Sequence, residues 1–285
     1  MRILRDIAYG EAGIGHHGTP ARKTLLMDAY LPEGSDGPVP AVVLAFGGAF
    51  HRGSKEDDSF PTAGSYGPNT AMAEYCRRFA ADGLACFSIS YRLAADDPDP
   101  GTTPVLLRPE DVPIGRIKEV REIMGLPPTT PREMAGVMEA AIDDMAAAAR
   151  AVAARAAEFN IDAARIVLGG WSAGARCALY AAYAKAVPCA GVIALSGLMQ
   201  PEDIAAHMPP GRNKPPLLLI SAEYDISYLR DAAAPMVAAM RQRGCDAHLR
   251  RVPGRDHWYA AEAATDAGPS VQQVMRAALR EWTGV

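Results

Sequence analysis

The chain has 285 residues, 49% of them hydrophobic and 22% charged, with a formal net charge of −4. This is the composition of a globular protein able to bury a large core, and it gives no reason to expect nucleic acid or an anionic membrane as a partner. The five cysteines (Cys76, Cys86, Cys177, Cys189, Cys245) are scattered without a C-x-x-C pair, so reduced thiols are expected rather than a disulfide frame or a zinc site.

The amino-terminal stretch lacks the apolar core of a signal peptide, and no apolar run reaches membrane-spanning length; a cytoplasmic protein is expected. Residues 1–40 read as two short strands and turns, with residues 24–31 apolar enough for a strand and residues 32–38 a Pro- and Gly-rich turn. His16 and His17 sit among Gly and Thr. Neighbouring imidazoles on an extended chain do not easily reach one metal, so a loop is expected there. Residues 40–46 form an apolar strand that runs into Gly47-Gly48-Ala49-Phe50-His51-Arg52-Gly53. Small residues directly after a strand let the backbone turn its N–H groups toward a bound oxygen, although a plain strand-ending loop would look the same. The charged group Lys55-Glu56-Asp57-Asp58 reads as a solvated rim. Residues 70–82 carry helical spacing with Gly83 as the stop, and residues 84–91 read as a strand.

Residues 92–131 are the least regular part, rich in proline, with one helical patch at 117–124. A connection this long inside a compact domain is usually functional or disordered. Its interleaved apolar residues, among them Val105, Leu106, Ile114 and Ile117, favour a packed excursion. It leaves the carboxyl end of a predicted strand, so it is expected to be an inserted cap over any site on that sheet edge. The alternatives are a rim segment or a contact in a homo-oligomer.

Thr130-Pro131-Arg132-Glu133 starts a long helix expected to continue through Phe159, its stripe of Met134, Met138, Ile142 and Met145 facing the core. Ile166-Val167-Leu168 then reads as a buried strand, followed by Gly170-Trp171-Ser172-Ala173-Gly174 and an Ala-rich helix. Strand, G-x-S-x-G and helix describe a nucleophile elbow. The turn is so tight that the flanking positions want Gly, and the Ser oxygen stands at the amino end of a helix. Residues 189–195 and 216–225 are further strands, 196–214 a loop or short helix, and 229–243 a helix stopped by Gly244. Residues 247–252 form a strand, 253–258 a turn and 270–282 the last helix. Strands alternating with helices of crossover length imply an α/β protein with a mostly parallel sheet covered on both faces, in one domain over residues 1–285.

Ser172, Asp225 and His257 each fall on the turn after a predicted strand, and in a parallel sheet such turns share one edge. A serine hydroxyl needs an imidazole to take its proton, and the imidazole needs a carboxylate to fix its tautomer and stabilise its cation. Glu223 competes with Asp225 for the acid and His248 with His257 for the base. His248 lies mid-strand, where alternation rather than chemistry sets its direction.

These features resemble the α/β-hydrolase fold, and within it the bacterial carboxylesterases related to hormone-sensitive lipase and to the bifunctional carboxylesterase/feruloyl esterases. The similarity runs from about Thr24 to the carboxyl end. Phe46-Gly47-Gly48-Ala49-Phe50 is similar to that family's His-Gly-Gly-Gly-aromatic oxyanion loop. Asn160-Ile-Asp-Ala-Ala-Arg165, the elbow, Ala222-Glu-Tyr-Asp225 and Val252-Pro-Gly-Arg-Asp-His257 match in place. The resemblance implies a serine esterase working through an acyl-enzyme on a small-molecule ester. Ser172 is then the nucleophile, His257 the base, and Asp225, at the family's acid position, its partner. Backbone N–H groups of Gly48, Ala49 and Ala173 are the implied oxyanion donors. Phe50, Trp171 and Trp258 are the expected substrate-pocket residues, with His51 beside them. No cofactor or metal is implied. A lactonase or carbon–carbon hydrolase uses the same triad, whereas non-catalytic ligand-binding proteins of this fold typically lose a member of it. Two positions depart from the family pattern. Phe46 replaces its His and removes a side-chain brace from the loop. Ala49 replaces its third Gly and keeps a usable N–H if its φ is negative.

Overall fold

In the computed structural model, the described residues (1–34, 37–60, 65, 67–211 and 213–284) form one eight-stranded sheet. Its strands are β1 (Arg2–Ile14), β2 (Ala21–Leu31), β3 (Val39–Ala45), β4 (Ala85–Ile89), β5 (Ile161–Trp171), β6 (Gly191–Leu195), β7 (Leu217–Tyr224) and β8 (Ala247–Asp256). They lie in the order β1-β2-β4-β3-β5-β6-β7-β8. β1 and β2 pair antiparallel with each other, as do β2 and β4, while every pairing from β4 to β8 is parallel. β4 and β6 are buried along their whole length, and β3 beyond Val39. Such continuous apolar runs need cover on both faces.

That cover comes from α1 (Met72–Ala81), α3 (Pro131–Ala154), α5 (Ala173–Tyr183), α7 (Ser227–Gln242) and α8 (Val271–Thr283). Shorter helices are α2 (Gly115–Ile123), α4 (Ala156–Phe159) and α6 (Pro201–His207). α3 packs against α5. On the other face Arg78 donates to Gln272 at 2.7 Å and Arg276 to Asp82 at 2.9 Å, tying α1 to α8. The start of α3 follows from its sequence. The Thr130 hydroxyl accepts from the Glu133 N–H, the Glu133 carboxylate accepts from the Thr130 N–H, and Pro131 takes the first turn.

Four expectations are corrected. β1 and β2 are not short but 13 and 11 residues long, because they pair along a full hairpin. The long helix ends at Ala154: Arg155 leaves helical geometry, and left-handed Asn160 closes the separate turn α4. β8 runs past Val252 to Asp256 because it resumes pairing with β7 after a register shift, so it stops one residue before His257. The charged group at 55–58 is not all a solvated rim. Lys55 is buried, its ammonium bonded to Glu56 and, at 2.8 and 2.9 Å, to Asp28 and Asp6. Burial alone would lower its pKa, but these hydrogen bonds outweigh it and hold the group well above the ordinary lysine value. Asp58 is buried too.

Of the predicted turn at 32–38, Ser35 and Asp36 lie outside the described residues, as does Arg212 of the segment 196–214 that contains α6. His16 and His17 occupy the tip of the β1–β2 hairpin, where His17 pairs with Asp97 at 2.7 Å. All five cysteines are free thiols. Among the described residues, Asp6, Asp28 and Glu56 are the acids close enough to share a cation, and Lys55 already bonds all three. No helix among the described residues is long and apolar enough to cross a membrane.

Residues 92–131 pack as an excursion held at several points. Arg92 forks onto Asp144 of α3 at 2.8 Å, the Val105 and Leu106 N–H groups donate to Glu139, and the Leu107 N–H donates to Asp203 of α6. These anchors place α2 across the carboxyl ends of the central strands, beside Ser172.

Candidate active site

Ser172 sits between β5 and α5 with φ 55° and ψ −113°, a strained conformation for a residue with a side chain. The two flanking glycines explain how the turn closes. A Cβ at Gly170 would lie 2.5 Å from the Ala45 carbonyl oxygen, and one at Gly174 would lie 2.0 Å from the same atom. The Ser172 N–H donates to the Leu195 carbonyl at 2.7 Å, which pins the strained residue to the end of β6.

The turns after β5, β7 and β8 bring three side chains together. His257 Nε2 lies 3.0 Å from Ser172 Oγ, and its Nδ1 lies 2.6 Å from Asp225 Oδ1. The bond to Asp225 assigns the proton to Nδ1 and leaves Nε2 as the acceptor facing Ser172. Asp225 is buried and saturated with donors: the Ser196 hydroxyl at 2.6 Å, the Ser221 hydroxyl, and the Ala222 and Ile226 N–H groups. Burial pushes its pKa up, but the adjacent His257 and these hydrogen bonds outweigh it, so the carboxyl stays below its ordinary value. The competing residues lie elsewhere. Glu223 is exposed and accepts from the Gly254 N–H at 2.7 Å. His248 is exposed and pairs with Asp246 at 2.9 Å.

The loop after β3 closes the other side. Among the described residues, nothing accepts from the N–H groups of Gly48, Ala49 or Ala173, and Gly48, Ala49 and Ser172 line one cavity. The Gly48 carbonyl accepts from the His51 and Arg52 N–H groups at 3.1 and 3.3 Å. In a trans peptide the N–H points opposite its carbonyl, so this pins the Ala49 N–H away from the loop interior. The condition set for Ala49 is not met, since its φ is 56° and not negative; its N–H is turned outward instead by the inward-facing Gly48 carbonyl. The tight reversal forces the left-handed region that the family's Gly reaches without strain. Ala49→Gly is therefore expected to raise stability by about 1 kcal/mol with kcat changed little. Ala49→Pro removes the N–H and cannot reach a positive φ, so kcat should fall on the order of 10²–10³-fold if this N–H holds the oxyanion. Melting temperatures and ester kinetics on both variants check this.

The missing His brace is replaced by residues that the sequence did not flag. Phe46 stacks on Tyr91 with ring centroids 4.3 Å apart, and the Tyr91 hydroxyl donates to the Phe46 carbonyl at 2.8 Å. The Asp58 carboxylate accepts from the Gly47 N–H at 2.9 Å and the Met72 N–H at 2.7 Å, coupling the loop to the start of α1. Both oxygens are used, so Asp58→Asn turns an amide N–H toward a backbone N–H. A drop in kcat on the order of 10²-fold is expected from loop displacement. Burial pushes the Asp58 carboxyl from 3.8 to about 7 against the pull of those donors. Between these pH values the folded chain holds a proton that the unfolded chain has released, so this group's contribution to stability falls as pH rises. The melting-temperature gap between wild type and Asp58→Asn should narrow over that interval.

Two narrow cavities meet at Ser172. One, of about 30 Å³, is bordered by Phe50, Ile117, Met138, Arg176 and Tyr228; the other, of about 10 Å³, by Arg52, Phe60, Trp171, His257 and Trp258. Phe50, Trp171 and Trp258 thus all reach the site. His51 does not: it lies behind the loop, its Nδ1 bonded to the Ala49 carbonyl at 2.7 Å and its Nε2 to Arg121 at 3.0 Å. Burial, and then the charges of Arg121 and Arg52, hold its pKa below the ordinary histidine value. Arg116 of α2 borders both cavities and stacks over Trp258 at 4.9 Å. Neither Arg116 nor Arg176 was singled out by the sequence. The position four residues after the elbow serine, on the same helical face, was the available signal for Arg176.

Comparison with known proteins agrees with this architecture. The phospholipase/carboxylesterase family profile matches residues 122–249. Esterase 2 of Thermogutta terrifontis, phosphorylated by paraoxon, is similar at 16% identity with a TM-score of 0.59, covering 90% of this chain and 87% of that one. Its propionate-bound form is similar at 15% identity and TM-score 0.57, covering 88% and 84%. A hyperthermophilic esterase from the archaeon Pyrobaculum calidifontis gives 20% identity and TM-score 0.55, covering 90% and 75%. No curated protein sequence matches the chain. The chain has the α/β-hydrolase fold.

Proposed function

We propose that the chain is a serine hydrolase that cleaves carboxylic esters through an acyl-enzyme at Ser172. The observation that carries this reading is the hydrogen-bonded series Ser172–His257–Asp225, at 3.0 and 2.6 Å, beside backbone N–H groups from which no described residue accepts. In the first half, Ser172 Oγ attacks the ester carbonyl while His257 Nε2 takes its proton. The oxyanion is held by the N–H groups of Gly48, Ala49 and Ala173, whose dipoles are already oriented. His257 then returns the proton to the departing alcohol. In the second half, water attacks the acyl group, gives its proton to His257, and the acid leaves as Ser172 recovers its hydrogen. Asp225, kept ionised below its ordinary pKa, stabilises the imidazolium in both halves.

The carboxylesterase family profile and the esterases of similar fold support this chemistry. Residues 92–131 act in this reading as the cap, since Pro113, Ile117 and Val120 border the cavities. The small cavities favour short acyl groups. A panel of p-nitrophenyl esters and lactones tests the function, with intact-mass measurement after paraoxon treatment. Turnover of the acetyl and butyryl esters, with one phosphoryl adduct at Ser172, is the expected result. Lactone turnover without ester turnover, or ligand binding without any turnover, would replace it.

A further inference from the structure

The cavity beside Ser172 contains a cation that no described residue neutralises. Arg176 lies one helical turn after Ser172, its N–H bonded to the Ser172 carbonyl at 3.1 Å, and only 5% of the residue is exposed. Among the described residues its guanidinium makes one hydrogen bond, a weak one from Nη1 to the Met138 sulfur at 3.2 Å. Among the described residues no carboxylate lies within 4.0 Å of it, and no Asp or Glu borders either cavity. Every other deeply buried basic side chain described above has its counter-ion: Arg92 has Asp144, and Lys55 has Asp28. An uncompensated buried charge is among the costliest features a fold can carry. Its planar fork matches a carboxylate in two-point geometry.

The two cavities divide the ester between them. His257 must return a proton to the leaving oxygen, so the alcohol leaves through the cavity that His257 borders. The acyl group then occupies the other cavity, where Arg176 waits. We infer that the acyl part of the substrate carries its own carboxylate, held by Arg176, so that the substrate class is the half-ester of a short dicarboxylic acid. This rests on the ester-hydrolase reading and deepens it. Arg116, bordering the same cavity, adds positive potential there, although it is partly neutralised by Glu119 at 2.7 Å. The cavity of about 30 Å³ favours the shortest spacers between the two carboxyl groups. The reaction balances as half-ester plus water giving dicarboxylate, alcohol and one proton.

Monomethyl succinate and methyl butyrate form a matched pair that differs in the terminal carboxylate against a methyl group. Methyl esters avoid the intramolecular attack that succinate half-esters of good leaving groups undergo. Proton release in a pH-stat gives kcat/KM for both on wild type, Arg176→Gln and Arg176→Lys. Wild type is expected to favour the half-ester by at least about tenfold. Arg176→Gln should lower the half-ester to neutral-ester ratio by about a hundredfold, the scale for losing a buried charge pair. Arg176→Lys should restore part of that ratio. Succinate should inhibit wild-type turnover of methyl butyrate competitively, more strongly than butyrate does, which tests the inference even if the variants fail to fold. Equal or better use of methyl butyrate by wild type, with no difference between the two inhibitors, would overturn the half-ester assignment while ester hydrolysis at Ser172 stands. If neither ester is hydrolysed and paraoxon leaves Ser172 unmodified, the hydrolase reading itself falls, and this inference with it.

Discussion

Ser172→Ala is expected to lower ester turnover on the order of 10⁴ to 10⁶-fold, the usual consequence of removing a nucleophile that works as a unit with its base. The loss should be chemical and not structural. Among the described residues the Ser172 hydroxyl bonds only His257, and the N–H that ties the elbow to Leu195 belongs to the backbone and survives the change. The flanking glycines still give the turn its clearance from Ala45. Thermal stability should therefore move little while activity disappears. Hydrolysis of p-nitrophenyl acetate, a melting curve and intact mass after paraoxon together decide the matter. Wild type that turns over esters yet takes no phosphoryl group at Ser172, or an alanine variant that retains substantial turnover, would place the nucleophile elsewhere.

Asp225→Asn carries the second large expected effect, a fall in kcat of about 10⁴-fold, the scale of letting the imidazole take the wrong tautomer. The reason lies in what the carboxylate accepts. His257 Nδ1 bonds Oδ1 at 2.6 Å, while the Ser196 hydroxyl bonds Oδ2 at 2.6 Å. An amide offers one oxygen for these two sides. Either the imidazole faces an N–H and takes the wrong tautomer, or Ser196 and the Ala222 N–H lose their acceptor. A stability loss of about 1–3 kcal/mol is expected alongside the rate effect, because buried donors go unpaired. Glu223→Gln is the control. Glu223 is exposed and accepts from the Gly254 N–H, which the glutamine oxygen can still do, so kcat should stay within a few-fold. A larger fall in kcat for Glu223→Gln than for Asp225→Asn would reverse the assignment of the acid.

Local pattern carried much of the architecture. Apolar runs such as 40–46 and 166–168 become strands buried on both faces, and the capping box at Thr130 starts α3. The elbow was legible because its constraint is local: Gly170 and Gly174 are dictated by the closeness of the chain on either side of Ser172. Asp225 and His257 were legible for a related reason. Each follows a strand, and parallel pairing brings the ends of those strands to one edge without further information. Element ends were less legible, as at β8, where pairing with β7 resumes beyond an irregularity that no periodicity announces.

What the sequence by itself determined, then, is the strand–helix alternation and the three side chains that the sheet edge gathers. Tertiary structure alone decided the fate of the charges. A run such as Lys55 to Asp58 is solvated by default, because burying an ion without a partner is costly. Lys55 is buried because Asp28, from a distant strand, meets it. Asp58 is buried because the Gly47 and Met72 N–H groups converge on it. Arg176 stands in an Ala-rich helix, and its spacing of four from Ser172 places it on the site's side of that helix without revealing what its charge would meet. Only the packing of α3, α5 and α2 around Ser172 encloses its guanidinium with no counter-ion among the described residues. Partners of this kind are set by where distant segments meet, and a charge's burial depends on those partners rather than on its own neighbours in the chain.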